Sequence, residues 1–121
     1  MDKNFYITTP IYYPSAKPHM GHAYSSIIAD FFARFKSIDN FKVHFLTGTD
    51  EHGLKIQRSA EKQGLDPKKF CDQISETFRN LSKTLNLTNT DFIRTTEDRH
   101  KKSVEHLWKE LKKNDDIYLS N

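Results

Sequence analysis

Residues 5–35 decide how this chain folds: Phe5-Tyr6-Ile7-Thr8-Thr9, a loop closing on Pro18-His19-Met20-Gly21-His22, and an apolar-periodic run to Phe35. The first five residues are aromatic and β-branched and predict a strand that ends at Pro10. Three of the four prolines, at 10, 14 and 18, fall in the connection and stiffen it. Beyond it, Met20, Tyr24, Ile27, Ile28, Phe31, Phe32 and Phe35 recur at helical spacing and predict one broad apolar face. Ser25, Ser26, Asp30 and Arg34 fill the rest of that helix.

The same alternation continues outward. Phe41–Thr47 predicts a second strand, and Gly48-Thr49-Asp50-Glu51-His52-Gly53 a polar loop feeding a helix from Leu54 to Gln63. Gly64 stands where a helix-ending glycine belongs. Asp66-Pro67 reads as an N-cap with proline at the first helical position, opening a helix with Phe70, Ile74, Phe78, Leu81 and Leu85 as its buried stripe. Asp91–Arg94 suits a short strand. Thr95 or Thr96 is the expected cap of a last helix with Val104, Leu107, Trp108 and Leu111 on its inner side, and Ile117-Tyr118-Leu119 the start of another strand. Strands alternating with helices imply right-handed crossovers and a parallel α/β sheet, whose ligands bind beyond the carboxyl ends of the strands.

Composition narrows the function classes. The 121 residues suit one domain, and 15 aromatics supply core bulk although only 36% of residues are hydrophobic. No stretch approaches a membrane span, and the amino terminus lacks the basic and apolar regions of a signal peptide. Lone Cys71 excludes an internal disulfide and multi-cysteine metal motifs and suits a small apolar filler. A cytoplasmic location is the expectation. A net charge of +3 permits a polyanionic partner without requiring one. The lysines of the last helix are interleaved with Glu105, Glu110, Asp115 and Asp116, which favours a solvated face.

Three of the four glycines, Gly21, Gly48 and Gly53, fall after the first two strands, where close approach of a ligand to the main chain would need them. His19 and His22 are three apart and share a face of the first helical turn. Free N–H groups and the positive dipole end make that turn an anion site, and two imidazoles beside it can donate to phosphate oxygens as charge develops. Gly21 leaves room for a flat ring on the backbone. A metal reading would need a third ligand, which Asp50 or His52 could supply, but gives the proline-rich lead-in and Gly21 no role. Asp50, at the end of a strand, is placed to hold a ligand ammonium or hydroxyl, with Glu51 or His52 supporting it. A solvated turn and a capped helix are the plainer readings of each loop alone. The parallel sheet should set the two loops side by side.

These residues resemble a known family. Phe5–Tyr13 with His19-Met20-Gly21-His22-Ala23-Tyr24, and Thr47-Gly48-Thr49-Asp50-Glu51-His52-Gly53, are similar to the amino-terminal part of bacterial methionyl-tRNA synthetases. His19-Met20-Gly21-His22 resembles the HIGH signature of class I synthetases. Asp91–Thr96, Arg99–Lys102 and Ile117–Leu119 fit the same pattern, the last at the start of the family's connective insertion. The resemblance implies a Rossmann-like (HUP-type) domain with residues 1–121 as its amino-terminal half, cut at that insertion. It implies a methionine–tRNA ligase that forms methionyl-adenylate from methionine and ATP with Mg2+, then transfers methionine to tRNA(Met). By position, His19 and His22 would be catalytic and hold the ATP phosphates, and Gly21 would lie under adenine. Ile11, Tyr13 and Asp50 would bind methionine, with Glu51 and His52 behind them. The family's KMSKS loop, its zinc-binding cysteines and its anticodon-reading domain have no counterpart here, so zinc is expected only in the connective region of a parent enzyme. This chain alone is expected to be inactive. A small HxGH-type nucleotidyltransferase and a non-catalytic binding module that kept the fold are the alternatives.

Overall fold

The structure is a computed structural model that describes residues 3–120. Seven elements follow in chain order: β1 (Asn4–Thr8), α1 (Met20–Ile38), β2 (Lys42–Thr49), α2 (Leu54–Lys62), α3 (Pro67–Thr84), β3 (Asp91–Arg94) and α4 (Asp98–Lys113). The strands form a parallel sheet in the order β1-β2-β3. The predicted Rossmann-like α/β arrangement is what forms.

Alternation along β2 sets Val43, Phe45, Thr47 and Thr49 on one face of the sheet. Phe45 is completely buried against Ala29 and Ala33 of α1, and Thr49 Oγ1 lies 2.9 Å from Ser75 Oγ of α3. Both helices therefore cover the same face, as two right-handed crossovers stepping in one direction require. A second cluster joins Ile56 and Ala60 of α2 to Phe70 and Cys71 of α3. Gly48 lies deep in the sheet, and an added Cβ would sit 2.0 Å from the Ile93 carbonyl oxygen in β3. Only glycine fits there.

The caps of α2 and α3 follow the sequence. Asp66 Oδ1 accepts from the N–H groups of Lys68 and Lys69 ahead of Pro67, and Gly64 has φ +65°. Four expectations are overturned. The apolar stripe of α1 points outward: Phe31 is 65% exposed and Tyr24 69%, while Ser26, Ala29, Asp30 and Ala33 face the sheet. Small side chains let the helix approach the strands closely, and Asp30 is admitted because Arg34, the Thr88 N–H and the Thr88 hydroxyl all donate to it. The cap residue of α4 is Glu97, since Thr95 and Thr96 spend their hydroxyls on Glu51. No residue of α4 is buried, so Trp108, Val104 and Leu107 are surface residues. Residues 117–119 form no strand, with Tyr118 and Leu119 exposed. No helix among the described residues is long and apolar enough to cross a membrane.

Candidate active site

The two loops meet at the carboxyl ends of β1 and β2. After Pro10 the chain returns to β2: the Tyr12 N–H donates to the Gly48 carbonyl, and the Asp50 N–H to the Tyr12 carbonyl, each at 2.9 Å. Thr9 Oγ1 and Thr47 Oγ1, 2.7 Å apart, close the strand ends beneath them. Alternation over 11–13 then turns Tyr12 inward and leaves Ile11 and Tyr13 on the outer side. The Tyr12 ring stacks on Phe78 of α3, and its hydroxyl is 2.9 Å from Ser26 Oγ of α1.

Helix α1 starts on a reciprocal cap made of histidines. His19 is extended (φ −131°, ψ 177°) and its Nδ1 accepts from the Gly21 N–H at 3.1 Å. The His22 Nδ1 accepts from the His19 N–H at 3.0 Å. Serine and glutamate usually divide these tasks. A ring nitrogen that accepts an N–H bond carries no proton, so each neutral ring has its hydrogen on Nε2. The rings lie 3.8 Å apart between centroids. Burial first, and then repulsion from His19, lowers the pKa of His22, which keeps it a neutral donor. Gly21 serves the cap as well, since a Cβ there would fall 3.0 Å from His19 Cε1.

Ile11, Tyr13, His19 and His22 line one cleft of about 490 Å³, together with Lys17 and Lys55. Asp50 is not among the residues that line it: its N–H is bonded to the carbonyl of Tyr12, which does line it, and the residue is partly exposed at the rim. Gly21 is in the adjoining first turn of α1. Glu51 is buried beneath the loop and accepts from Thr49, from Thr96 and twice from Arg94. Burial pushes its carboxyl pKa up, but the bonds from Arg94, Thr96 and Thr49 outweigh that and hold it below the ordinary range. His52 is exposed and turns toward β3, its Nε2 3.4 Å from the Thr95 carbonyl. A larger hollow, about 570 Å³, lies by Asn89 at the amino end of β3, away from the end where such sheets bind ligands. Among the described residues, no group of three or more His, Cys, Asp or Glu side chains could hold a metal ion.

Sequence reading missed three participants. Tyr12 could have been found from the alternation with Ile11 and Tyr13. Lys17 stands in the proline-rich loop beside the histidine pair. Lys55 follows the Asp50 loop in the first turn of α2, but no local signal aims it at the cleft.

Comparison with known proteins agrees with this geometry. Residues 5–121 match the family model described as tRNA synthetases class I (M). A methionine–tRNA ligase of Listeria monocytogenes is 54% identical over 98% of this chain and 18% of its own length. A mitochondrial one from Takifugu rubripes is 54% identical over 91% of the chain and 19% of its own. The structure of Mycobacterium tuberculosis methionyl-tRNA synthetase with methionyl-adenylate superposes with a TM-score of 0.93, at 43% identity, over 98% of this chain and 23% of that one. The chain spans about a fifth of the length of these relatives. With the family model matched from Phe5 onward, it belongs to the methionyl branch of the class I tRNA synthetases.

Proposed function

We propose that this chain carries the histidine half of a methionine–tRNA ligase active site, residues 1–121 being the amino-terminal half of its Rossmann-like catalytic domain. The observation that carries this reading is the cleft in which two Nε2–H donors at a helix start adjoin Ile11 and Tyr13, with the Asp50 loop bonded to the main chain of its Tyr12 wall. In the reaction, a carboxylate oxygen of methionine attacks the α-phosphorus of ATP and pyrophosphate leaves. A hydroxyl of tRNA(Met) then attacks the carbonyl carbon of methionyl-adenylate and AMP leaves.

His19 and His22 donate from Nε2 to phosphate oxygens, and these bonds strengthen as the transferring phosphate gathers charge. The positive end of the α1 dipole adds to that field, with Gly21 leaving the adenine access to the backbone. The Asp50 carboxylate pairs with the substrate ammonium, which turns the substrate carboxylate toward the nucleotide. Ile11 and Tyr13 contact the methionine side chain, where a ring against sulfur separates methionine from hydrocarbon side chains better than apolar contact alone. Glu51 and His52 support the Asp50 loop. Mg2+ would be supplied with the nucleotide and would neutralise phosphate charge; the cleft lining itself offers lysine and histidine and no carboxylate to hold it. The lone cysteine supports a reducing, cytoplasmic setting.

Methionine titration by calorimetry tests the binding half. The chain should bind methionine, and Asp50→Ala should weaken binding by about 1.5–3 kcal/mol, the range for a hydrogen bond to a charged group. No heat with either protein defeats the reading. Pyrophosphate exchange tests the other half: without the lysine loop the chain should turn over no methionine, and robust methionine-dependent exchange would contradict this.

A further inference from the structure

Arg94, the last residue of β3, has no role in the reading above, yet its guanidinium makes three charge-assisted hydrogen bonds beside the site. Its side chain is only 18% exposed. Nε and Nη2 grip Glu51 Oε1 and Oε2 at 2.6 and 3.0 Å, and Nη2 also donates to Asp72 Oδ1 of α3 at 2.6 Å. The Glu51 carboxylate is fully buried and accepts two more bonds, from Thr49 and Thr96. The Glu51 N–H donates to Thr95 Oγ1 at 2.8 Å. Glu51 is thus fastened by main chain and side chain to β2 and β3, and through Arg94 to α3.

Asp50 sits between two fixed points. Its own N–H is held by the Tyr12 carbonyl, and the residue after it is held by this network. A residue clamped on both sides has its Cα–Cβ direction set, which restricts its carboxylate to the few staggered rotamers about that bond. A buried ion pair gives little net stability over an apolar substitute, but a planar fork fixes geometry. Lysine, a single point charge, cannot grip both Glu51 oxygens and reach Asp72 together.

We propose that Arg94 is a positioning residue for the ammonium site, aiming the Asp50 carboxylate through Glu51. The proposal rests on the reading that Asp50 receives the methionine ammonium. It is tested by following methionine titrations of the chain by NMR in Arg94→Lys, Asp50→Asn and the double variant, with circular dichroism as the folding control. Arg94→Lys should weaken methionine binding about tenfold, and the double variant should bind no more weakly than Asp50→Asn alone, because the two residues act on one contact. A merely structural role would multiply the two losses instead. Multiplied losses, or unchanged affinity in Arg94→Lys, overturn the proposal. Should Arg94→Lys not fold, Asp72→Asn removes only the outer arm and should cost about threefold, again only when Asp50 is present; unchanged affinity there overturns the proposal too. Asp50→Asn binding as well as the unmodified chain, or no methionine binding by the unmodified chain, removes the underlying reading. Weakening by Asp50→Asn without any effect of Arg94→Lys removes the Arg94 proposal alone.

Discussion

Replacing His19 by alanine and by asparagine separates what its ring does for the helix from what it does for phosphate. The ring accepts one N–H of the first turn, from Gly21 at 3.1 Å, while the bond from the His19 N–H to His22 survives any side-chain change at 19. Alanine therefore loses one cap bond, which costs about 1 kcal/mol. For a chain of this size that lowers the melting temperature by about 4 °C. Asparagine, among the best N-caps, restores the acceptor and should recover nearly all of that loss. It has no donor where Nε2–H stood, so the contribution to a bound triphosphate stays lost. Urea unfolding of the three proteins gives the stabilities, and ATP titration followed at the His22 ring nitrogens gives the second reading. The expected pattern is normal stability with weakened ATP binding for His19→Asn, and both weakened for His19→Ala. If asparagine is as destabilised as alanine, or if it binds ATP like the unmodified chain, the division of labour between Nδ1 and Nε2 is wrong.

Three further outcomes follow from the same contacts. Because the pKa of His22 is lowered on folding, its contribution is fully present above the unfolded imidazole value of about 6.5 and is lost as pH falls below it; urea midpoints should drop over that range, less so in His22→Asn. Gly48→Ala should destabilise by about 3 kcal/mol or more, since a Cβ 2.0 Å from the Ile93 carbonyl must push two hydrogen-bonded strands apart, and a wild-type melting curve would refute it. Burial, and then the Glu51 charge, push the Cys71 thiol up to about 11, so alkylation at pH 8 should be far slower in the folded chain than in urea.

Much of the fold could be read from the sequence where local chemistry acts alone. Asp66-Pro67 and Gly64 bound their helices because a cap and a left-handed residue work through the nearest few backbone groups. Periodicity failed for α1 because it reports which positions are apolar and not which of them the sheet covers. The sheet takes the small residues Ala29 and Ala33 and the bonded polar pair Ser26 and Asp30, and leaves Phe31 and Tyr24 outside. The same limit explains Trp108, apolar at a helical spacing on a helix none of whose residues is buried. In the site, the histidine spacing and the Asp50 loop were visible locally. The Arg94 clamp was not, since it joins residues 43 and 22 positions apart and only the β2–β3 register sets them side by side.

The loops are joined through Tyr12 more than through any residue named for chemistry. Its main chain bonds to Gly48 and Asp50 on the carboxylate side, and its hydroxyl reaches Ser26 and the His22 carbonyl on the histidine side. Its ring packs against both His22 and Phe78. A shift of α1 relative to β2 would have to break these contacts together, so the distance between the Nε2–H donors and the Asp50 main chain is fixed by a buried side chain. Beside it, the Arg94 network fixes the direction of the carboxylate. Position and aim are thus set separately, one by aromatic packing with ~1 kcal/mol hydrogen bonds and the other by charge-assisted bonds. Salt should weaken the second more than the first only where water reaches it, and at Glu51 the carboxylate is fully buried. The half-site should therefore keep its geometry over a wide range of ionic strength, and under the proposed function the salt-dependent part of triphosphate binding falls to the lysines that line the cleft, Lys17 and Lys55.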